Sequence, residues 1–416
     1  MAGALKRSRA AAVVTTLGAL VATAATLAAA FSPAARAADD DAAVAAALVA
    51  ALPPDGATDL MLIDQPSTPD APHVRGAARV AATPAAIKNV LLDPAHYRAL
   101  IPSLLRADLE RSNGGPPIVD WELEVPLFNL SGRMALRNRP DGVTIELFEG
   151  DFAPGRLAFT VTPSAGGGAI LMVDAVLDVK RSSWLLRRII KRSPAGEPAA
   201  LAAATYVALR AVALRAEHPH DRYARRSGAP PAAPADWLPD PRPLMANAAA
   251  LLRARGVVAL VARTPVDRLA GVVAAVSLQA PAPAVAARLR DPGAWHAFPG
   301  WGTIHVRPGP NGPGAEVEDD LPLVDCDATW TALAGPEPRW VATAGATRGA
   351  RLGWSIHAGA AGASSIAALT LYPRLEATGS IARRFIAAEP LLEEGLALAL
   401  AFVDVAGTRA AWVTPH

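Results

Sequence analysis

The chain is poor in cysteine: Cys326 is the single thiol in 416 residues. An internal disulfide is therefore excluded, and stability has to come from core burial. Other site chemistry is missing too. We find no Ser/His/Asp order, no glycine-rich phosphate loop and no zinc-type ligand spacing. The sequence predicts no metal and no cofactor.

The chain also lacks an excess of charge, since 40 Lys and Arg stand against 38 Asp and Glu. Four of the basic residues lie in residues 1–37, which hold no acidic residue, so 36 basic residues face 38 acidic ones beyond that segment. Nucleic-acid binding needs a basic face that releases counterions. We therefore expect no nucleic-acid partner.

Residues 1–37 have the pattern of a secretory signal peptide. Lys6, Arg7 and Arg9 precede an apolar run from Ala10 to Phe31, and Ala35-Arg36-Ala37 forms a small-x-small cleavage site. This pattern predicts a periplasmic or secreted protein. The apolar run is long enough to span a bilayer, so an uncleaved amino-terminal anchor is the alternative.

The second half of the chain is a diverged copy of the first, at an offset of about 196 residues. Four matches keep the same order. They are Asp93-Pro94-Ala95-His96-Tyr97 with Asp291-Pro292-Gly293-Ala294-Trp295, Pro126-Leu127 with Pro322-Leu323, Arg156-Leu157-Ala158-Phe159 with Arg351-Leu352-Gly353-Trp354, and Arg187-Arg188-Ile189-Ile190 with Arg383-Arg384-Phe385-Ile386. We predict one domain over residues 43–226, a Pro/Ala-rich linker over 227–245 and a second domain over 246–416.

Each repeat shows the same succession of elements. A strand-like run (Val74 to Ala82, or Leu269 to Leu278) leads into a short helix that stops at Asp-Pro. Alternating apolar and polar residues then predict an antiparallel meander with one dry face. A long helix closes each repeat, beginning near Glu197-Pro198 and Glu389-Pro390.

This order resembles the START-like (SRPBCC) superfamily, nearest to its polyketide-cyclase/coenzyme-Q-binding branch. The resemblance is carried by Asp93-Pro94-x-x-Tyr97-x-x-x-x-Pro102 and by Asp291-Pro292-x-x-Trp295-x-x-x-Pro299. It implies an α+β fold of two tandem helix-grip domains, in which a curved antiparallel sheet wraps a long carboxy-terminal helix. It also implies a hydrophobic cavity between sheet and helix.

The dry face of the strands, together with the motif aromatics, gives the candidate ligand-binding residues. They are Tyr97, Trp121, Leu123, Met134, Leu136, Ile145, Phe159, Val161, Trp295, Phe298, Cys326, Trp330 and Trp354. The partner predicted for them is an apolar small molecule or a lipid.

Three functions stay open at this point. General acid–base catalysis needs a titrating group near the substrate, and the inward positions of repeat one hold none. Cys326 is inward without an inward histidine, which is typical of a core filler. Binding, with transfer as an extension, is therefore favoured over a polyketide-cyclase-like enzyme. The third reading is an interaction protein whose cavities are filled by its own aromatic side chains.

A basic and apolar segment precedes the first closing helix. Trp184, Arg187, Arg188 and Lys191 carry a second hypothesis, a peripheral contact with an anionic membrane. The alternative is a short helix that packs its apolar side on the sheet and solvates its arginines.

Overall fold

A computed structural model describes the chain from residue 33 onward. The described part has gaps at 65–71, 111–113, 126–127, 183–186, 188–194, 221–247, 249–250, 253–255, 265–266, 292–303, 309–313, 322–323, 326–327, 360–361, 376–382, 385, 388 and 414–416. The chain divides into two compact units, residues 1–50 and residues 51–416. In the first unit the structure describes residues 33–50, which belong to helix α1 (Pro33–Ala51).

In repeat one, two strands and a capped helix come first. These are β1 (Thr58–Asp64), β2 (His73–Val80) and α2 (Pro84–Leu91), followed by a 3-10 turn (Pro94–His96) and α3 (Tyr97–Leu100). The start of α2 is fixed locally, because the Thr83 hydroxyl accepts a hydrogen bond from the Ala86 amide (3.2 Å) and Pro84 occupies the first turn.

A six-stranded meander and a long helix complete repeat one. They are β3 (Leu104–Glu110), β4 (Ile118–Val125), β5 (Phe128–Arg139), β6 (Gly142–Gly150), β7 (Phe152–Pro163), β8 (Ala169–Asp178) and α4 (Gly196–Glu217).

Where it is described, repeat two follows the same order of elements, with one additional short strand (Val324–Asp325). It comprises β9 (Val257–Arg263), β10 (Leu269–Leu278), α5 (Ala282–Arg290), β11 (Ile304–Pro308), β12 (Gly314–Leu321), β13 (Val324–Asp325), β14 (Ala328–Ala332), β15 (Arg339–Gly345), β16 (Arg351–Ala358), β17 (Ser365–Tyr372) and α6 (Leu392–Val413).

The strands of both repeats belong to one antiparallel sheet. Its pairings follow the order β3-β4-β5-β6-β7-β8-β2-β1-β9-β10-β17-β16-β15-β14-β12-β11, and β13 pairs with the end of β12. The two repeats are thus joined edge to edge through β1 and β9.

The joint between β1 and β9 is nearly symmetric. Leu60 lies opposite Leu260, and the register runs from Thr58 opposite Ala262 to Ile63 opposite Val257. Gly56 and Gly256, which precede these strands, both have positive φ (67° and 51°). Equivalent residues of the two repeats therefore meet around the centre of the joint.

The two long helices lie against the apolar side of the sheet, which we call the inner face. α4 packs on β2, β8 and β1, α6 packs on β10, β17 and β9, and the helices contact each other. Their crossing brings together Ala203 and Gly395. A Cβ at Gly395 would stand 3.2 Å from the Ala203 carbonyl oxygen. Small residues at both positions permit this close approach.

The observed elements agree with most of the predicted ones. β10 has the bounds predicted for it, and a long helix closes each repeat as predicted. β1 and β9 were not predicted. α4 and most of α6 are apolar enough over 18 residues to cross a membrane, yet each such stretch is 67% buried, as in a core helix. The predicted linker, 227–245, lies outside the described residues.

Candidate functional site: the inner face of repeat one

The predicted ligand-binding residues of repeat one come together in one hydrophobic cluster on the inner face. Tyr97, Trp121, Leu136, Ile145, Phe159 and Val161 are buried, with exposures between 1% and 7%. Leu123 and Met134 are half-buried and pack against the same cluster. The alternation along β4 to β7 therefore predicted the facing of these side chains.

Trp121 occupies a lateral row of small residues. Its cross-strand neighbours are Ala107 on β3 and Gly132 on β5, and Gly132 in turn lies opposite Gly150 on β6. The indole lies over Gly132, since a Cβ there would come within 3.1 Å of Trp121 Cζ2. Phe152 stacks nearly parallel to the indole, at 6.4 Å between ring centroids and 7° between planes.

The indole nitrogen of Trp121 is the unusual polar atom of this surface. Trp121 Nε1 is buried and has no hydrogen-bond partner among the residues that the structure describes. Buried tryptophan N–H groups normally find an acceptor, and an unsatisfied one costs roughly 1–3 kcal/mol. The sequence pattern predicted Trp121 as an apolar lining residue and gave no sign that its indole nitrogen would be left unsatisfied.

Tyr97 has its hydroxyl committed elsewhere. The phenol donates a short hydrogen bond to the Leu91 carbonyl at the end of α2. Burial, with a smaller contribution from Asp93, raises its pKa well above the ordinary range. Tyr97 therefore stays protonated near neutral pH and ties α3 to α2, which is a structural rather than an acid–base role.

A concavity of about 700 Å³ opens at the end of β5 and reaches the predicted residue Leu136. Leu92 and the pair Pro116-Pro117 form apolar parts of its wall. Arg137, Asn138, Arg139 and Thr144 complete the lining. Its volume lies within the range of about 300–1,000 Å³ typical of small-molecule sites.

In repeat two, part of the predicted site lies outside the described residues, namely Trp295, Phe298 and Cys326. Trp354 is buried (4% exposed) within the large cluster. Trp330 is half-buried and packs on a separate small cluster of Ala328, Ala342 and Ala350. Trp330 and Trp354 are thus placed in different clusters.

A buried ion cluster under the joint was missed by the sequence analysis. Asp59 on β1 is fully buried, and its Oδ2 lies 3.2 Å from Arg263 Nε and 3.7 Å from Arg210 Nε. The Tyr206 hydroxyl donates to the same oxygen at 3.1 Å. Asp267 accepts from Arg210 Nη2 (3.0 Å) and from Arg263 Nη1. The cluster joins α4 and β1 of repeat one to β9 of repeat two.

Arg210 gave a readable signal in the sequence. It interrupts a helix that is otherwise almost wholly apolar or small, and a charge in a fully buried helix needs a partner. Its pKa is raised well above its usual range: burial by itself lowers it, and Asp59 and Asp267 outweigh that effect. The positions equivalent to Tyr206 and Arg210 in α6 are Leu398 and Phe402, so the cluster is asymmetric between the repeats.

A second ion cluster lies at the start of β2. Asp174 accepts hydrogen bonds from Arg75 Nε (3.1 Å) and Arg156 Nη2 (3.1 Å), and His73 Nε2 lies 2.9 Å from the same carboxylate. Arg75 also donates to Asp64 (2.8 Å). Among the described side chains, no group of three or more His, Cys, Asp or Glu is placed to hold a metal ion.

A basic concavity of about 650 Å³ includes Arg187, the described one of the four residues predicted to dock on membranes. Lys180, Arg187 and the exposed Phe148 line it, together with Glu149 and the turn from Gly150 to Pro154. Arg187 is exposed, and Lys180 pairs with Glu197 at 2.7 Å. Trp184, Arg188 and Lys191 lie outside the described residues.

Similar proteins were found among solved structures. A START superfamily protein from Mycobacterium smegmatis is 19% identical, covering 35% of this chain and 98% of its own, with a TM-score of 0.28. The di-domain ARO/CYC StfQ of the steffimycin biosynthetic pathway is 13% identical, covering 79% and 98%, with a TM-score of 0.27.

A STAR-related lipid transfer protein from Xanthomonas axonopodis is 16% identical, covering 39% of this chain and 94% of its own fragment, with a TM-score of 0.27. These proteins are of the START-like kind that the residue pattern resembles. No family model and no curated protein matches the chain.

Proposed function

We propose that the protein binds an apolar small molecule or a lipid between the sheet and α4 of repeat one, each repeat being a helix-grip unit. The observation that carries this proposal is the concavity at Leu136, which meets a continuous apolar inner face covered by α4. Leu92 and the two prolines give the concavity an apolar entrance.

The energetics suit a carrier. Burying ten methylene groups of a lipid tail gains roughly 8 kcal/mol, and association and ordering take back a large share. The net gain is therefore smaller than the roughly 8 kcal/mol that corresponds to a dissociation constant of about 1 μM, and without polar contacts a ligand with ten buried methylene groups should bind more weakly than that. Weak binding of this kind allows release, so transfer is a natural extension of binding.

A polyketide-cyclase-like enzyme is the alternative, and no specific observation favours it. The described residues predicted to line the inner face of repeat one carry two polar atoms, the Tyr97 hydroxyl, which is held by the Leu91 carbonyl, and the Trp121 indole N–H, which does not titrate near neutral pH. The polar side chains at the concavity are those of Arg137, Asn138, Arg139 and Thr144. General acid–base catalysis needs a group within hydrogen-bond reach of the substrate. The third hypothesis, an interaction protein whose cavities are filled by its own side chains, predicts that no ligand binds. The experiment below distinguishes it from the other two.

The test is extraction of the purified protein with organic solvent, followed by mass spectrometry. We expect an apolar molecule to co-purify, and a fluorescent fatty-acid analogue to bind and be displaced by it. Leu92→Trp narrows the entrance and should weaken binding at least about tenfold, because a bulky ring occupies the ligand's path. Leu109→Trp, at an exposed position of β3, is the matched control. If no molecule co-purifies and no member of a lipid panel binds, the proposal fails.

We further propose that the basic concavity docks on an anionic membrane, where a lipid carrier exchanges its ligand. Arg187 supplies positive charge beside the exposed Phe148, whereas the charge of Lys180 is offset by Glu197 at 2.7 Å. Each basic residue near an anionic surface contributes about 1 kcal/mol. Flotation with vesicles containing phosphatidylglycerol should fall for Arg187→Glu and stay unchanged for Arg348→Glu, at an exposed position of repeat two. Equal flotation of both variants would retire the membrane contact.

Export is the third part of the proposal, and the leader pattern of residues 1–37 supports it. Amino-terminal sequencing of the protein from the periplasm or medium should give a chain that begins at Ala38. Recovery of full-length protein in the membrane fraction would support the anchored alternative, and recovery in the cytosol would contradict export.

A further inference from the structure

Strand β3 forms one edge of the sheet. It pairs with β4, and no other described strand pairs with it. Two large apolar side chains are exposed on this strand, Leu105 by 39% and Leu109 by 50%. Asp108 and Glu110 are exposed as well. An edge strand presents unpaired backbone groups that can pair with another chain, so β3 is a candidate contact surface.

The direction of hydrogen bonding in β4 determines which backbone groups of β3 are unpaired. The Glu124 amide donates to the Ser103 carbonyl (2.8 Å), just before β3, and the Leu136 amide of β5 donates to the Pro117 carbonyl (2.9 Å). Hydrogen-bonding direction alternates between neighbouring residues of an antiparallel strand. Even-numbered residues of β4 therefore bond to β3, and odd-numbered residues bond to β5.

The residues of β3 divide in the same way. Arg106, Asp108 and Glu110 lie opposite even-numbered residues of β4 and bond to that strand. The N–H and C=O groups of Ala107 and Leu109 consequently point to the open side of β3. The edge thus offers its backbone at alternate positions, next to exposed side chains of both charge signs.

Asp108 has an unfavourable neighbour within its own sheet. It lies directly opposite Asp120, and its side chain is 69% exposed. Like charges opposite one another on a sheet destabilise the pairing. Arg106 lies 3.0 Å from the Asp120 carboxylate and 3.9 Å from that of Asp108. Asp108 is therefore the less compensated of the two carboxylates, and its exposed position suits a cation supplied from outside the chain.

We propose that β3 is the contact surface between two copies of this chain, which pair antiparallel about a two-fold axis at Ala107. In this register Arg106 lies opposite Asp108 of the second copy, and Leu105 lies opposite Leu109 of the second copy. Each contact occurs twice by symmetry. An axis at Arg106 would instead bring two arginines together, and an axis at Asp108 would bring two aspartates together. Charge therefore selects the axis at Ala107.

The chain contains a contact of the same kind at its own centre. β1 and β9 join edge to edge, nearly symmetrically about Leu60 and Leu260. A bulge interrupts the start of β3, and bulges and charges are the features by which edge strands avoid unspecific pairing. Here they restrict β3 to the register that matches opposite charges. Because a two-fold contact uses β3 of both copies, the assembly ends at a dimer.

The test is analytical ultracentrifugation of the purified protein between about 5 and 300 μM, because a single strand pair is a small interface. We expect a concentration-dependent shift from monomer to dimer. Asp108→Arg opposes Arg106 of the second copy and should weaken the dimer at least about tenfold. The same change relieves the contact with Asp120, so the variant should stay folded. Leu105→Arg should also weaken the dimer, whereas Leu333→Arg, at an equally exposed position of repeat two (39%), should not.

Cysteine substitution tests the register, in a Cys326→Ser background that removes the native thiol. Ala107→Cys places a thiol on the axis, and oxidised glutathione should convert two copies into a disulfide-linked dimer, since the Cα atoms of a hydrogen-bonded pair lie about 5.5 Å apart. Leu109→Cys should not form this link, because its two copies lie about 13 Å apart along the strands.

Three results would overturn the proposal. The first is a wild type that stays monomeric at the highest concentration. The second is dimerisation of Asp108→Arg and Leu105→Arg to the same extent as the wild type, which would place the contact on another surface. The third is equal cross-linking of the two cysteine variants. None of these results bears on ligand binding by repeat one.

Discussion

We expect Asp59→Ala to lower the free energy of unfolding by about 3 kcal/mol. Asp59 is fully buried, and its carboxylate accepts from Tyr206 and faces Arg263 and Arg210. Removing one partner of a buried ion pair costs about 3–5 kcal/mol, because the remaining charge is left without compensation. Asp267 still binds both guanidinium groups in the variant, which places the expected loss at the lower end.

The loss is large relative to the whole stability of a domain, about 5–15 kcal/mol. Urea unfolding followed by tryptophan fluorescence and far-UV circular dichroism would measure it. With a slope of about 3 kcal/mol/M, the midpoint should fall by about 1 M. The double variant Asp59→Ala/Arg210→Met also removes one of the two facing cations. Its loss of stability should be about 1–3 kcal/mol smaller than the sum of the losses in the two single variants.

Glu146→Ala is the matched control, since Glu146 pairs with Arg137 at 2.7 Å in an exposed setting. Such a pair contributes at most about 1 kcal/mol, so its midpoint should stay close to wild type. Two results would refute the reasoning: an Asp59→Ala midpoint equal to that of Glu146→Ala, or strict additivity in the double variant.

Three further changes test other parts of the fold. Burial raises the pKa of Asp174, but the hydrogen bond from His73 and the charges of His73, Arg75 and Arg156 outweigh burial and lower it overall. This contribution to stability exists above about pH 4 and is lost as the pH falls through the folded pKa. Asp174→Asn should therefore be less stable at pH 7 and show a flatter acid limb in thermal melts. Burial, then Asp59 and Glu394, raises the pKa of Tyr206, so its contribution is present below about pH 10 and is lost above it. Tyr206→Phe should have a free energy of unfolding about 1–3 kcal/mol below wild type at pH 7. In urea titrations above pH 10, the variant should lose less stability with rising pH than the wild type does. Gly395→Leu should cost about 1–3 kcal/mol in the same assay, because its side chain has to displace Ala203 at the helix crossing; an unchanged midpoint would contradict the close approach.

Periodicity predicted the structure best in elements that have one buried face and one solvent-exposed face. β4 alternates Trp121 and Leu123 with Glu122 and Glu124, and its inward side chains lie where the alternation predicts. The Asp-Pro stops and the closing helices were equally readable, because proline and capping residues act locally. The likeness to START-like proteins followed from that order of elements.

Periodicity did not predict β1 and β9. Leu60-Met61-Leu62-Ile63 is apolar at every position and buried on both sides, so no period of two distinguishes it from a stretch of buried helix. Because these strands were not predicted, their pairing could not be predicted either. The sequence analysis therefore predicted a proline-rich linker as the connection between the repeats. The partners of Arg210 also come from elements far apart in sequence, which local patterns cannot bring together.

The edge-to-edge joint has a consequence for how the two halves have diverged. In a homodimer of identical chains, a substitution at the two-fold axis occurs on both sides at once, and a new charge meets its own copy. Within a single polypeptide that constraint is absent, because the two sides of the joint are encoded separately. Here α4 holds Tyr206 and Arg210 where α6 holds Leu398 and Phe402. Either half expressed by itself would bare the edge of its joining strand, a known route to aggregation.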